Sequence, residues 1–425
     1  SKVLLDSSYV DDLLPGSNCK VEAEAQVKET QTLLALGGFK LKFVCHSNDK
    51  PPDAASSDAE TLSILGYTWN SKEDTLTLGV SDLNFHKKMG GAKPENPFTV
   101  SDADSAARII DLQEKITRRM CLSKSAEIYD PLGIWEPLKA KFKRDLSRLN
   151  GLEWDENIPT CEESTWRSNF MLFPLLKQMK VHRAVTPQDI IDPNTCRLII
   201  ASDASLTTAG ACVYIGYKTG DNNWSNSLLQ ARSQICKFSI PRNELTAIFL
   251  AAELCYAVCH SLQPLNLTFT DILFLTDSTV ALSWCYNAEK HQKTFVHNRV
   301  TSIHRFFKWT LSLVGQDTSM RLVHIPGEIN PSDIITKGQP NLMELGHSSK
   351  WQGNWDFLMG DIIDMPLTSY EELCLSADEA EDYNSEFMDN LPPGIRNPIP
   401  IIKLDHPLGD PLKEEDSTNQ VINHL

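Results

Sequence analysis

Two short segments, CRLIIASDAS (196–205) and DILFLTDS (271–278), constrain this chain more than any other feature. Each is an apolar run that closes on an Asp, and each reads as a buried strand. Between them, AGACVYIGYK (209–218) and SLLQARSQICKFS (227–239) read as two antiparallel strands. They are followed by a long amphipathic helix, PRNELTAIFLAAELCYAVCHSL (241–262), with Pro241 just before its first turn. TVALSWCYN and FVHNRVTSIHRFFKW read as helices, MRLVHIP as a last strand, and NPSDIITKG as the start of a final helix. The order β-β-β-α-β-α-α-β-α predicts a mixed five-stranded sheet with flanking helices over residues 191–345.

The rest of the chain is less regular. At 425 residues it has room for about three domains. Residues 1–80 read as strand, turn, strand, helix and strand, then a further hairpin. Asn18 is a candidate cap for the helix KVEAEAQVKETQTLLAL, Gly37-Gly38 a terminator, and FKLKFVC (39–45) a half-buried strand. Residues 81–100 are a Gly/Pro-rich connector that opens a mainly helical region, 81–190. There Asp102 would cap one run, SAARIIDLQEKITRRMCL, before YDPLGIWEP interrupts it. Residues 346–425 hold WQGNWDFL and then an acidic tail, expected to be disordered over its last stretch. From Tyr370 onward, 13 acidic residues stand against 3 basic ones. The fold class is therefore α/β and α+β, in several parts.

Four carboxylates sit at the ends of the predicted elements. Asp203 and Asp277 close the two buried strands, Glu244 opens the long helix, and Asp333 opens the last one. Taken singly, an Asp after a strand is a turn former or a cap. Taken together, the four would converge on one edge of the sheet and repel one another unless cations neutralise them. Hard oxygen ligands select Mg²⁺ or Mn²⁺. Two such ions about 4 Å apart serve phosphodiester cleavage without a Ser or Cys nucleophile.

ASDAS, PRNELTA, LTDSTVAL and HIPGEINPSDIITKG resemble the RNase H domain of retroelement reverse transcriptases, and more narrowly that of BEL/Pao long-terminal-repeat retrotransposons. LGYTWN, IYDPLGIWEP, SIPRNEL and FVHNRV belong to the same resemblance, which runs from YVDD (9–12) through WQGNWDFL (351–358). It implies a palm remnant over 1–80, a thumb and connection over 81–190, and RNase H over 191–345. It implies two Mg²⁺ held by Asp203, Glu244, Asp277 and Asp333, with Mn²⁺ as a substitute, and an RNA/DNA hybrid as substrate. Asp11 and Asp12 would be orphaned ligands of the polymerase palm, whose upstream parts would precede Ser1, so no DNA synthesis is expected from this chain alone. Backbone amides near Ser205 and Asn243 would contact the hybrid. Glu328 stands where many RNases H carry a mobile His, and His324 reads as structural. No aspartic-peptidase or integrase signature is present, although other products of the same polyprotein are candidate partners.

Lys290, Lys293, Arg299 and Arg305, with Lys308, form a basic segment that reads either as a handle on the hybrid's phosphates or as a solvated helix face. Lys139, Lys141, Lys143 and Arg144, in KAKFKRDLSR, would sit in the thumb. A net charge of −16 argues weakly against a general nucleic-acid binder. Eleven scattered cysteines without a Cys-x-x-Cys fit a reducing intracellular setting, cytoplasm or nucleus. No apolar run suggests a membrane span. A second reading stays open: an inactive or host-retained remnant that binds nucleic acid or protein.

Overall fold

In a computed structural model of the chain, the described residues are 2–49, 61–80, 113–288, 293–337 and 349–379, apart from 10, 11, 18, 177, 188, 316 and 317, with 83, 85, 106, 107, 110 and 111 besides. Asp11, Asn18, Asp102, Lys290 and the acidic tail beyond 379 lie outside them.

The N-terminal part begins with a short helix α1 (Lys2–Asp6), a minimal ladder of β1 (Ser8–Tyr9) with β2 (Asp12–Leu13), and helix α2 (Lys20–Leu36). Gly38, at φ +79°, ends α2. Its amide returns to Ala35 O and that of Phe39 to Leu34 O, the paired bonds of a Schellman motif. The FKLKFVC segment alternates like a strand but forms none, because no edge among the described residues pairs with it. β3 (Thr61–Ile64), β4 (Tyr67–Asn70) and β5 (Thr75–Leu78) make an antiparallel meander rather than a simple hairpin. Leu65 and Gly66 both take positive φ in the two-residue turn that suits the twist of β3 and β4.

Helices α3 (Arg118–Ala126), α4 (Glu136–Ser147), α5 (Thr160–Phe170) and α6 (Phe173–Leu176) follow, and β6 (Val181–His182) adds a fourth strand beside β5. The single helix expected over 105–122 is broken. Residues 113–116 are not helical, Thr117 pairs with Asn157, and the Thr117 hydroxyl accepts from Met120 N to start α3 afresh. Thr117 is a good cap at a place where the backbone is already committed elsewhere.

The main sheet contains β7 (Thr195–Ala204), β8 (Thr208–Lys218), β9 (Trp224–Ile235), β10 (Thr268–Thr276) and β11 (Ser319–His324), in the order β11–β10–β7–β8–β9. β10 lies parallel to β7 and β11, whereas β8 and β9 are antiparallel. β7 and β8 are buried along almost their whole length, while β9, at the edge, mixes buried and exposed positions. This is why the central strands read as unbroken apolar runs.

Side-chain alternation feeds two cores. Leu198, Ile200, Val213 and Phe274 face helices α7 (Ile240–Leu262), α8 (Thr279–Tyr286) and α9 (Thr294–Val314), through Leu245, Leu282, Ile303 and Phe307 among others. By length and composition the Ile240–Leu265 stretch could cross a membrane, but 61% of its apolar window is buried against the sheet and its neighbours. Ile199, Ala201, Tyr214 and Leu275 face the other side, packing with Trp135 and Leu138 of the α4 region. That face also takes the short helix α10 (Asp333–Thr336), α11 (Ser349–Gln352) and α12 (Asp356–Met359), the last two bringing Trp351 and Leu358. A single apolar cluster thus runs across residues 190 and 345, and the stretches on either side share one interior. WQGNWDFL, expected only as the start of a linker, is part of that cover.

Beyond α12 the chain crosses to the opposite edge of the sheet, where Thr368 pairs with His324. Helix α13 (Tyr370–Glu379) then stacks Tyr370 on Tyr286, ring centroids 4.9 Å apart. All eleven cysteines are free thiols.

Candidate metal centre

β7 and β10 are neighbours with Ser202 opposite Thr276, so Asp203 and Asp277 leave the sheet side by side. Glu244 joins them because the first turn of α7 is pinned to the β7–β8 turn. Asn243 Nδ2 donates to Ser205 O (3.0 Å) and Leu206 O (3.1 Å), and its Oδ1 accepts from Phe238 N (3.2 Å). Asp203, Glu244 and Asp277 each offer a carboxylate oxygen, and the three oxygens lie within 4.8 Å of one another.

The fourth acid approaches on α10. Asn330 Nδ2 donates to Ser202 O (3.0 Å), and Thr336 Oγ1 donates to Asp203 Oδ2. Gly210, the β8 partner of Asp203, gives α10 its room: a Cβ there would stand 2.8 Å from the Ile335 side chain. Asp333 does not join the mutual cluster of three. Its Oδ2 accepts from Lys337 Nζ, one turn on, and its Oδ1 is buried without a partner.

The electrostatics follow from this crowding. Burial first, then the negative charge of its neighbours, pushes Glu244 up to about 9. Burial likewise leads in pushing Asp203 up to about 7, with Asp277 and Asp333 adding to it and the Thr336 hydroxyl opposing. Asp277 is raised by burial, with Asp333 adding. Glu244 Oε2 and Asp277 Oδ1 are buried with no hydrogen-bond donor. Buried carboxylate oxygens that repel one another and lack donors fit a hard divalent cation.

One family comparison concerns this region. Residues 117–278 match the family described as Pao retrotransposon-like RNaseH-like domain. That segment is similar to this family, and the match spans residues 117–278 of the 425. It contains Asp203, Glu244 and Asp277; Asp333 lies beyond it. No curated protein matches the chain. Among solved structures, RNase H1 of Halobacterium salinarum NRC-1 is 12% identical, with a TM-score of 0.23 over 34% of this chain and 95% of that one. LC11-RNase H1 in complex with an RNA/DNA hybrid is 18% identical, with a TM-score of 0.23 over 33% and 94%. A foamy viral protease-reverse transcriptase in complex with dsDNA is 14% identical, with a TM-score of 0.18 over 74% and 54%.

Around the RNase H-like domain the expected basic residues divide. Those of α4 are spent inside the fold. Lys139 donates to Asp130 O (3.0 Å) and pairs with Glu136, while Lys141 reaches Asp145 (3.0 Å) and Asn169. Lys143 bonds Glu136 Oε1 (2.6 Å) and Ser233, tying α4 to β9. Arg144 Nη1 donates to Thr336 O (2.6 Å), so this helix braces the turn that carries the Thr336 hydroxyl to Asp203. Sequence reasoning missed that link because 192 residues separate its ends.

On α9, the Arg299 guanidinium lies 4.3 Å from the Phe249 ring centroid and that of Arg305 5.8 Å from Trp309, while Lys293, at the N-cap, is exposed. His304 is a core residue whose Nε2 contacts Cys285 O. The amides of Ser205 and Asn243 themselves are bonded to Thr208 O and Ser239 O. Glu328 is exposed on a turn, and the backbone of His324 pairs with Thr368. Asp12 is exposed on its two-residue strand and joins no acidic cluster among the described residues.

Proposed function

We propose that this chain is a divalent-metal-dependent ribonuclease H acting on the RNA strand of RNA/DNA hybrids, within a retrotransposon-type polyprotein. The observation that carries the reading is the meeting of Asp203, Glu244 and Asp277 within 4.8 Å, inside the family-matched segment. These three would hold the first Mg²⁺ or Mn²⁺, and Asp203 with Asp333 would serve a second. Bound there, such ions supply an activated water and stabilise the departing oxygen of a phosphodiester.

The chain's own residues set the geometry. Asn243 fixes the start of α7 and hence Glu244. Thr336 orients Asp203, and Arg144 holds Thr336. Selection of RNA would come from 2′-hydroxyl contacts across the wide minor groove. Lys293, exposed at the start of α9, and Arg305 are the residues we assign to phosphate contacts.

The test is cleavage of an end-labelled RNA/DNA hybrid by the full chain with Mg²⁺ or Mn²⁺, against Asp277→Asn. Cleavage leaving 3′-hydroxyl and 5′-phosphate ends, lost in the variant, supports the reading. A wild-type protein that binds the hybrid without cutting it would leave a binding module instead.

A further inference from the structure

Lys337 stands in an unusual place for a lysine. Its Nζ donates to Asp333 Oδ2 across one helical turn, and Asp203 and Asp277 feel the same charge. The pair is lopsided: the Lys337 side chain is 67% exposed and that of Asp333 18%. An ammonium on a flexible stem, open to water, is held here by charge rather than by packing. Asp333, meanwhile, is the acid that stands apart from the mutual cluster, with one oxygen taken by Lys337 and the other buried without a donor. Asp203, Glu244 and Asp277 have no lysine or arginine hydrogen-bonded to their carboxylates among the described residues, and two of the three keep an oxygen without any donor.

We propose that Lys337 is a displaceable counter-ion on the outer cation position of the centre: one divalent ion enters readily at Asp203, Glu244 and Asp277, and a second enters through Asp333 only by pushing Lys337 off. The Lys337 ammonium on Asp333 Oδ2 repels a divalent cation arriving at the same carboxylate, and moving the side chain off relieves that repulsion. Displaced, the side chain has open solvent to move into. The protein would therefore hold its two ions with unequal affinity, and the lysine would set the weaker step.

This inference rests on the metal-centre reading, and the experiment separates the two. Mn²⁺ is titrated into the full chain without nucleic acid, and free Mn²⁺ is read by electron paramagnetic resonance for wild type, Lys337→Met, Lys337→Gln, Lys337→Arg and Asp277→Asn. Wild type should show one tight and one weak step. Methionine and glutamine should each tighten the weak step on the order of tenfold, leaving the tight step in place, while arginine should keep the wild-type isotherm. Superimposable isotherms for Met, Gln and wild type, or a weaker second step in either variant, overturn the proposal for Lys337. A tight step that survives Asp277→Asn overturns the metal centre itself.

Discussion

The Tyr67 hydroxyl donates a 2.7 Å hydrogen bond to Asp130 Oδ1 and accepts one of 3.0 Å from the Leu132 amide. This contact joins the β-meander to the turn that launches α4. The Asp130 carboxylate also accepts from Ile134 N (3.1 Å) and Trp135 N (2.9 Å), so one buried side chain satisfies the amides of a tight turn. The turn lies against the sheet edge: Ala231 N of β9 donates to Leu132 O (2.9 Å), covering part of an edge strand that would otherwise be open to pairing.

Gly133 is the residue that permits this approach. It sits at φ +72°, and a Cβ would stand 1.8 Å from Ala231 O. Gly133→Ala should cost roughly 3 kcal/mol or more, by forcing the turn off β9. Urea unfolding followed by tryptophan fluorescence checks it; an unchanged midpoint would contradict the packing.

Stability of the metal-free protein should depend on pH in a stated direction. Unfolded Asp and Glu titrate near roughly 4, whereas in the fold Asp203 keeps its proton to about 7 and Glu244 to about 9. Over that window the native state binds more protons than the unfolded one. The contribution is therefore fully present below about pH 4 and is lost as pH rises through 7 and then 9. Thermal unfolding in EDTA should show a falling midpoint across the window, and saturating Mg²⁺ should raise the alkaline values most. A flat profile in EDTA would contradict the burial of these acids.

Arg144→Met should weaken Mn²⁺ binding and hybrid cleavage by roughly 10- to 100-fold, as loss of a group that orients a ligand does, with little change in unfolding temperature. Isothermal titration measures the first effect and a cleavage assay the second. Metal affinity equal to wild type would show that the Thr336 turn holds itself.

Lys293→Glu combined with Arg305→Glu should lower affinity for an RNA/DNA hybrid and flatten its dependence on salt by about one unit of slope per lost phosphate contact. Fluorescence anisotropy at several salt concentrations reads both. An unchanged slope would mark this stretch of α9 as an ordinary solvated face.

The succession of strands and helices, and the meeting of Asp203 with Asp277, were legible in the sequence for a physical reason. β7 and β10 are buried on both faces, so their apolar runs stand out, and their final Asp residues mark the sheet edge directly. What covers the second face was not legible. Trp351 and Leu358 pack on strands more than 70 residues earlier, and nothing local distinguishes them from a linker. The partners of the basic residues of α4 were not legible either. Lys141 and Lys143 pair within their own helix with Asp145 and Glu136, while Lys139 and Arg144 reach Asp130 O and Thr336 O, the last brought near only by the tertiary fold. FKLKFVC has the alternation of a strand but no partner strand among the described residues, since pairing is a property of two segments.

The chain from Trp351 to Tyr370 works as a buckle, fastened at one side of the sheet through the Trp351 Nε1 bond to Ile134 O (2.8 Å) and at the other through Thr368 on His324. Excising the sheet domain at the limits of its acidic motifs would unfasten it and lay Tyr214, Leu275 and their neighbours open to water. A fragment trimmed that way would clump, and a protease that nicked this stretch would undo the fold around the carboxylates without touching one of them.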